Sequence, residues 1–386
     1  MHVFKRLRRL VAAAAAAAVL GAAAILASAR IWPPGRGACG DVLAWVRRHG
    51  GSCPKLAEAE FVFQDDDDGR EARWWQRVRR RRGVIATETI EAGEEVISVP
   101  ASMLISVQAA RATPGLGAVL KSFRKELDDF STLALFLLFE SSKGRDGMFW
   151  PYVCSLPRPR DMATPIYWPE HKLRRNAVSV WGGGDGTTGV TSQGRRHQLG
   201  LLTERMRKIM LHKFNTHIPL LLSEFPDVFP DGLTFRAWVW ALSIVYSRNW
   251  GIPAHDTALG ASSSAAAPST RPTLVPGCDL LNHHDPVSDP FPCFLEWRGN
   301  GTRVAMVTRR RYVRGQEVST NYGVDCNDNF VSTYGFRPRP RDRDLVCRLQ
   351  LSNYSASLVK TGGKAGLMHF PHPGASLALP KLVIRA

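Results

Sequence analysis

The chain has 386 residues, 44% of them apolar and 9% aromatic, which is enough to bury a sizeable core and excludes a disordered tail. The formal net charge is +17, but the basic residues are scattered, without interleaved aromatics or a helix-turn-helix or zinc-finger pattern, which argues against specific nucleic-acid binding. The seven cysteines form no C-x-x-C pair, which argues against a zinc ribbon, a redox dithiol or a disulfide scaffold and predicts that most are reduced and packed.

The N-terminal residues resemble a targeting sequence. A basic start, Lys5 to Arg9, precedes a weakly apolar run over residues 10–29 that ends in a small-x-small pattern. This pattern predicts a signal peptide over residues 1–30. The run is also about as long as a bilayer span, so a membrane anchor with its basic end on the cytoplasmic side is the competing prediction. In an organism with a complex plastid, the same stretch would be the first half of a two-part import signal.

The next segments predict a linker and then a first pair of strands. Residues 31–80 change in composition and are interpreted as a linker with a packed helix over residues 42–49. In residues 83–100, two β-branched runs flank Glu91-Ala92-Gly93-Glu94, which predicts a hairpin whose second strand ends at Pro100.

Residues 116–250 have the periodicity of helices. Ser131 is a predicted N-cap, followed by a stripe formed by Leu133, Phe136, Leu137 and Glu140. Two more helices are predicted over residues 201–214 and 235–247, the second rich in aromatic residues that we assign to the core. Residues 182–194, rich in Gly and Thr, and residues 261–270, of low complexity, are predicted to be surface insertions.

Strand patterns return over residues 302–320, with a turn at Gly315-Gln316-Glu317. Strands before and after a helical block indicate an α+β protein whose sheet is completed by distant segments of the chain.

Several segments together resemble a SET-domain methyltransferase of the class with a helical insertion, typified by the Rubisco large-subunit lysine methyltransferase and the actin-histidine methyltransferase. The segments are Gly83-Val84-Ile85-Ala86-Thr87, Ser98-Val99-Pro100, Leu133 to Glu140, Trp150-Pro151-Tyr152, Ser247-Arg248, Asp279-Leu280-Leu281-Asn282-His283, Asn321-Tyr322-Gly323 with Asn327, and Tyr334-Gly335-Phe336. The similarity covers residues 81–340. The Gly-x-Gly usual near the start of the domain appears here as Arg81-Arg82-Gly83.

The resemblance implies an α+β SET-domain fold, with small sheets and knotted threading, interrupted by a helical insertion. It divides the chain into an N-terminal part of the SET domain (residues 81–110), the helical insertion (111–262) and a C-terminal part (263–337). Residues 338–386 would be the remnant of a truncated C-terminal domain for docking the protein substrate.

The resemblance also implies a site for S-adenosylmethionine and no metal. The residues that it places at the cofactor are Arg82, Gly83, Val84, Arg248, Asp279, Asn282, His283, Tyr334 and Phe336. Tyr322 matches the catalytic Tyr, and Trp250 and Tyr334 would contact the substrate side chain. The adjacent His283, His284 and Asp285 are a poor metal site, since neighbouring residues rarely converge on one ion.

The chemistry of methyl transfer explains why residues of these types are expected at the site. A methyl sulfonium is already activated, so the enzyme mainly aligns the reacting atoms and excludes water. A lysine nucleophile must be neutral, which costs on the order of 4 to 5 kcal/mol at pH 7 for a free pKa near 10.4. A desolvated aromatic channel beside a sulfonium lowers that pKa. Tyr322 would orient the amine rather than act as a strong base.

The leading hypothesis is therefore an S-adenosylmethionine-dependent protein-lysine N-methyltransferase that acts, as a monomer, on a non-histone protein. Trp250, two residues after Arg248, favours lysine because an aromatic wall suits its side chain; protein-histidine methylation is the second choice within the enzyme hypothesis. A degenerate SET module that binds a protein or membrane surface without turnover is the alternative from another class. A basic nucleic-acid binder is a third and weaker alternative.

Overall fold

The computed structural model describes residues 39–63, 79–123, 127–171, 173, 192–253, 270–284, 292–323 and 327–336. The predictions for residues 1–30 and 338–386, and for most of the two surface insertions, lie outside these ranges. The chain divides into two compact units. We call Ile105–Ser247, together with Cys39, Gly40 and Phe330–Phe336, the helical unit, and Asp41–Leu104 together with Arg248–Asn329 the sheet unit.

The helices and strands follow one another in this order: α1 (Val42–Arg48), β1 (Leu56–Phe63), β2 (Arg79–Ala86), β3 (Glu95–Pro100), β4 (Ile105–Ser106), α2 (Val107–Ala112), α3 (Leu116–Ser122), α4 (Asp129–Ser142), α5 (Trp150–Ser155), α6 (Ser192–Glu224), α7 (Phe235–Arg248), β5 (Asn249–Pro253), β6 (Thr270–Leu274), β7 (Asn282–His283), β8 (Cys293–Arg298), β9 (Arg303–Thr308), β10 (Glu317–Thr320) and α8 (Asn327–Tyr334). None of the described helices combines the length and the hydropathy that crossing a bilayer requires.

The sheet unit contains a four-stranded sheet in the order β1-β2-β10-β7. β1 and β2 pair antiparallel along their whole length, with Leu56 opposite Ala86. β10 pairs antiparallel with β2, and it pairs parallel with β7, where Ser319 lies opposite Asn282. Strand β1 lies within the segment interpreted as a linker, so that interpretation was wrong for residues 56–63. Its first half is rich in Ala and Glu, which have low strand propensity, and pairing with β2 supplies the order that local sequence does not.

A second sheet has the order β3-β9-β8, and this arrangement corrects the predicted hairpin. The strands on either side of the turn exist and β3 ends at Pro100, but β2 and β3 belong to different sheets. Between them Ile90 exchanges two backbone hydrogen bonds with Tyr312, at 3.0 and 2.9 Å, and this bridge lies outside both ladders. Alternation in a sequence specifies which face of a strand is buried but not which strand lies beside it. The predicted turn at Gly315 is confirmed, with φ of 83°.

The predicted packed helix near the start is α1. Asp41 caps it by accepting a hydrogen bond from the backbone N–H of Ala44 at 3.1 Å. Its apolar side chains are buried. Glu58 in β1 accepts a second hydrogen bond, from the backbone N–H of Val42 at 2.7 Å, so the helix N-terminus is tied to the four-stranded sheet.

In the helical unit, α4 begins differently from the prediction. Asp128, not Ser131, is the N-cap, and the backbone N–H of Ser131 donates to its carboxylate at 2.8 Å. Ser131 is buried inside the first turn. Residues 133–138 are all buried, so α4 is surrounded by other elements instead of presenting one apolar stripe.

The two other predicted helices are confirmed as α6 and α7, and α6 is longer than predicted, at 33 residues. The aromatic residues of α7 lie in the core as predicted. Trp238 and Trp240 are fully buried, and their indole N–H groups donate to the carbonyls of Met210 at 3.1 Å and Pro157 at 2.8 Å. Each buried indole therefore has a partner for its polar atom.

A disulfide bond joins Cys39 to Cys154 across 115 residues of sequence, whereas Cys53, Cys278 and Cys293 are free and buried. The expectation that most cysteines are reduced and packed agrees with these three, whereas the bonded pair was not foreseen, because sequence spacing does not tell which distant residues meet. A bond across so long a segment restricts the unfolded chain. We expect reduction of this bond to lower the free energy of unfolding by about 3 kcal/mol.

The measurement is urea denaturation with and without reductant. The double variant Cys39→Ser/Cys154→Ser is the control, since it should have the lower midpoint of the reduced protein and should not respond to reductant. A wild-type midpoint that reductant leaves unchanged would contradict the prediction.

Candidate functional site

The two segments that carry the most specific motifs, Asp279 to His283 and Asn321 to Gly323, lie side by side in the structure. Asn282 and His283 form strand β7, and Tyr322 follows β10, the strand that pairs with β7. Parallel strands leave their pairing in the same direction, so the residues that follow each of them stay close. The backbone N–H of His284 extends the ladder by donating to the carbonyl of Thr320 at 2.9 Å.

Tyr322 is held by hydrogen bonds from its hydroxyl and from its backbone N–H. Its hydroxyl donates to the carbonyl of Leu281 at 3.0 Å, and its backbone N–H donates to Nδ1 of His283 at 3.0 Å. The two rings lie 5.3 Å apart. Because Nδ1 accepts a hydrogen bond, a neutral His283 ring carries its proton on Nε2. Removal from water raises the pKa of Tyr322 to about 12, although Arg248 and Arg81 oppose the rise, so Tyr322 stays a neutral phenol.

Arg248, at the end of α7, forms an ion pair with Asp279. Its Nη1 donates to both the backbone carbonyl of Asp279, at 3.0 Å, and the carboxylate, at 2.9 Å. The Asp279 side chain is only 2% exposed. Asp279 lies in the 3-10 turn Cys278–Leu280, directly before β7, so the guanidinium fixes the segment that leads into Asn282. Both residues were predicted to contact the cofactor; in the structure they contact each other.

The amide of Asn282 has a defined orientation. Its Nδ2 donates to the backbone carbonyl of Arg82 at 2.9 Å and to Oε1 of Glu317 at 2.8 Å. Both partners are acceptors only, so the nitrogen of the amide must face them and Oδ1 must face elsewhere. The Oδ1 atom of Asn282 is thus oriented away from these two acceptors, where it can accept a hydrogen bond.

Gly83 leaves the room that this amide occupies. A Cβ atom at position 83 would collide with Nδ2 of Asn282 and would lie 2.8 Å from Cε2 of Phe61 and 3.1 Å from Oε1 of Glu317. The close approach that requires glycine is therefore made by the Asn282 side chain. A role for Gly83 beside a cofactor stays a prediction.

Arg82 and Val84, which flank Gly83 on β2, point to the face of the sheet opposite to that of Gly83. The Arg82 side chain pairs with Glu58, with Nε and Nη2 at 2.8 and 2.5 Å from Oε2, and its backbone carbonyl accepts the hydrogen bond from Asn282. Val84 is fully buried and lies opposite Glu58 and Val318 in the two ladders. Direct cofactor contacts by Arg82 and Val84 stay predictions.

Sequence reasoning missed Glu317 and the partner role of Arg81. Nη2 of Arg81 lies 3.0 Å from each oxygen of the Glu317 carboxylate. Glu317 had been noted only as part of a turn. A charged residue at the start of a buried strand, five positions before Tyr322, was the available signal.

The remaining predicted residues belong to other elements of the chain. Trp250 is half-buried in β5, opposite Thr273 of β6. Tyr334 and Phe336 belong to the helical unit, where their rings lie 5.2 and 5.8 Å from that of Phe330. The roles predicted for these three residues stay predictions. Within the described ranges, no group of three or more His, Cys, Asp or Glu residues could hold a metal ion.

Comparisons with known proteins give a family match and several relatives. A family model described as the SET domain matches residues 81–323. N-lysine methyltransferase SETD6 of Homo sapiens is 26% identical over 279 residues, which cover 70% of this chain and 51% of that protein. Actin-histidine N-methyltransferase of Danio rerio is 26% identical over 297 residues, which cover 77% of this chain and 41% of that protein. The chain spans about half the length of the curated relatives that it matches.

A solved structure has the same fold. The crystal structure of the SET domain of LSMT bound to lysine and AdoHcy aligns with a TM-score of 0.54 at 19% identity, over 77% of this chain and 56% of that one. The predicted α+β class is confirmed by this likeness and by the mixture of helices and small sheets.

Proposed function

Since the chain belongs to the SET-domain family, we propose that it is an S-adenosylmethionine-dependent protein-lysine N-methyltransferase that acts on a non-histone protein. The observation that carries this proposal is the parallel pairing of β7 with β10, which places Asn282, His283 and Tyr322 together. Relatives named as N-lysine methyltransferases, and an LSMT structure bound to lysine and AdoHcy, support the same activity.

The residues of the site fit the proposed cofactor. The amino-acid end of S-adenosylmethionine carries an ammonium and a carboxylate. The free Oδ1 side of the Asn282 amide suits the ammonium, and the guanidinium of Arg248, oriented by Asp279, suits a carboxylate. Gly83, Arg248, Asn282 and His283 are the residues that would hold the cofactor. When bound, it supplies a methyl group already activated by a sulfonium.

The protein's own contribution is to orient groups and to favour a neutral amine. Tyr322, with its pKa near 12, is neutral at physiological pH, and its hydroxyl proton is directed to the carbonyl of Leu281. The hydroxyl oxygen keeps lone pairs with which to orient an incoming amine. Removal from water is the largest cause of the raised Tyr322 pKa, and it would likewise disfavour an ammonium at this position. The charges of Arg248 and Arg81 lower the pKa, whereas those of their partners Asp279 and Glu317 raise it. Tyr322 is therefore a positioning group and not a general base.

Protein-histidine methylation is the second candidate, because a relative named actin-histidine N-methyltransferase matches at the same 26% identity as the lysine enzyme. Trp250, two residues after Arg248, favours lysine, since an aromatic wall suits a long aliphatic side chain. A SET module without turnover is the remaining alternative, motivated by Arg81 at a position where the family usually has glycine.

The test is methyl transfer by the full chain from labelled S-adenosylmethionine into a cell lysate, read by mass spectrometry. Methyl-lysine on a protein other than a histone is the expected product. Methyl-histidine would overturn the choice of lysine. Binding of S-adenosylmethionine without any incorporation would support the non-catalytic module instead.

We also propose that residues 1–30 direct the protein to a membrane or into an oxidising compartment. In an organism with a complex plastid, they would be the first half of a plastid import signal. We propose further that the protein acts as a monomer. The disulfide between Cys39 and Cys154 supports an oxidising environment. A fluorescent protein fused to residues 1–40 should localise to membranes or organelles. A diffuse cytosolic signal would contradict this part of the proposal.

A further inference from the structure

We propose that Arg81 and Glu317 are positioning residues that set the orientation of the Asn282 amide for the amino-acid end of the cofactor. The inference rests on the proposed function, because S-adenosylmethionine is the ligand whose ammonium would donate to Oδ1 of Asn282. Neither residue belongs to the set that the sequence resemblance assigned to the cofactor.

The side-chain amide of Asn282 has two possible orientations, and its neighbours favour one of them. Rotation of the Asn282 side chain by half a turn would place Oδ1 against the backbone carbonyl of Arg82 and the carboxylate of Glu317. These two groups now accept hydrogen bonds from Nδ2 at 2.9 and 2.8 Å. A carbonyl and a carboxylate cannot donate, so the rotated amide would face two oxygens with a third. The negative charge of Glu317 makes it the stronger of the two determinants.

The Glu317 carboxylate is held in place by Arg81. Arg81 contacts both of its oxygens at 3.0 Å, and the guanidinium lies 5.9 Å from the centre of the Phe61 ring. The side chains of Arg81 and Glu317 are 37% and 25% exposed. Without the guanidinium, water would compete for a carboxylate that is open to solvent, and Glu317 would point at Asn282 for less of the time.

Gly83 leaves the space in which the side chains of Arg81, Glu317 and Asn282 meet. Arg81 and Gly83 lie two residues apart on β2 and so face the same side of the sheet. Glu317 and Asn282 reach this side from β10 and β7. Because position 83 has no Cβ, Oε1 of Glu317 and Nδ2 of Asn282 can hydrogen-bond directly above it.

The contact with Glu317 also gives a structural reason for an arginine at position 81. The family usually has glycine at this position, and a glycine here would leave Glu317 without the guanidinium that contacts both of its oxygens. The arginine therefore has a defined place beside the proposed site, where its side chain contacts both oxygens of the Glu317 carboxylate.

The experiment compares two ligands by calorimetry on the full chain. S-adenosylmethionine has the amino-acid end, and 5′-methylthioadenosine lacks it. We expect Glu317→Ala to weaken S-adenosylmethionine binding by about tenfold, as loss of a hydrogen bond to a charged group would. Arg81→Ala should weaken it to a smaller extent. Binding of 5′-methylthioadenosine should stay within about twofold in both variants, because that ligand cannot contact Oδ1.

Further variants separate positioning from general damage to the fold. Arg81→Lys keeps the charge and should retain more affinity than Arg81→Ala. In the double variant, loss of Arg81 should add little to the effect of losing Glu317, since the two residues act through one contact. Glu95→Ala is the matched control: it removes a carboxylate that pairs with Arg303 at 2.5 Å in the other sheet, and it should change neither affinity.

Equal weakening of both ligands would overturn the inference, because it would indicate a structural role alone. Unchanged S-adenosylmethionine binding in Glu317→Ala would overturn it as well, while leaving the proposed function intact. Failure of the wild-type chain to bind S-adenosylmethionine would overturn the proposed function and this inference together.

Discussion

Replacement of Tyr322 by Phe is expected to lower the rate of methyl transfer by about a hundredfold while the chain stays folded. The change removes only the hydroxyl, which donates to the carbonyl of Leu281 at 3.0 Å. The ring, its contact with His283 and the backbone hydrogen bond to Nδ1 remain. What is lost is the group that would orient the amine, so we expect kcat to fall while the affinity for S-adenosylmethionine changes little.

The pH dependence separates orientation from base catalysis. Because burial raises the pKa of Tyr322 to about 12, the phenol does not ionise between pH 6 and 10. In that range the rate should rise with pH because the substrate amine loses its proton, and the Phe variant should show the same rise at a lower level. A variant whose rate no longer depends on pH would identify Tyr322 as the base and contradict the prediction.

Replacement of Arg248 by Ala is expected to lower the free energy of unfolding by about 3 kcal/mol, because it removes the partner of a buried carboxylate. Asp279 is 2% exposed and loses two contacts from one nitrogen. Since Asp279 directly precedes β7, the variant should also bind S-adenosylmethionine more weakly. Chemical denaturation measures the first effect and calorimetry the second.

Two further variants act as controls. Arg248→Lys keeps the charge but not the planar group, so it should be intermediate in stability. The double variant Arg248→Ala/Asp279→Ala should recover part of the lost stability, because no buried charge is left without its partner. If Arg248→Ala unfolded at the same denaturant concentration as the wild type, the ion pair would contribute nothing to the fold.

The sequence predicted the kinds of element better than their pairing. Strand β3 and helix α7 are where apolar periodicity placed them, because periodicity follows directly from which face of an element is buried. Strand β2 and helix α6 overlap their predicted positions but begin earlier, at Arg79 and Ser192. The hairpin between β2 and β3 was wrong, since pairing depends on β9 and β10, more than 200 residues further along the chain. Strand β1 was missed for a local reason, since its first half is rich in Ala and Glu although its partner β2 is the next strand in the chain. The disulfide was missed because Cys154 lies 115 residues from Cys39.

In the site, the motifs identified the residues but not their contacts. Asn282, His283 and Tyr322 come together as their order predicted. Asp279 was assigned to the cofactor, which stays a prediction, and the motif did not reveal that it pairs with Arg248. Glu317 was overlooked because a single Glu beside a glycine turn is indistinguishable in sequence from a solvent-exposed charge. Only the register of β10 against β2 places it next to Arg81 and Asn282.

The bond between Cys39 and Cys154 closes a covalent ring that contains α1 and strands β1, β2 and β3. Cleavage of one peptide bond inside this ring would yield two fragments that remain tethered through sulfur. A nicked molecule would therefore still carry Arg81 and Gly83 on the same covalent assembly as Asn282 and Glu317. Under oxidising conditions, a single proteolytic cut between residues 39 and 154 should be visible on a reducing gel but not on a non-reducing one.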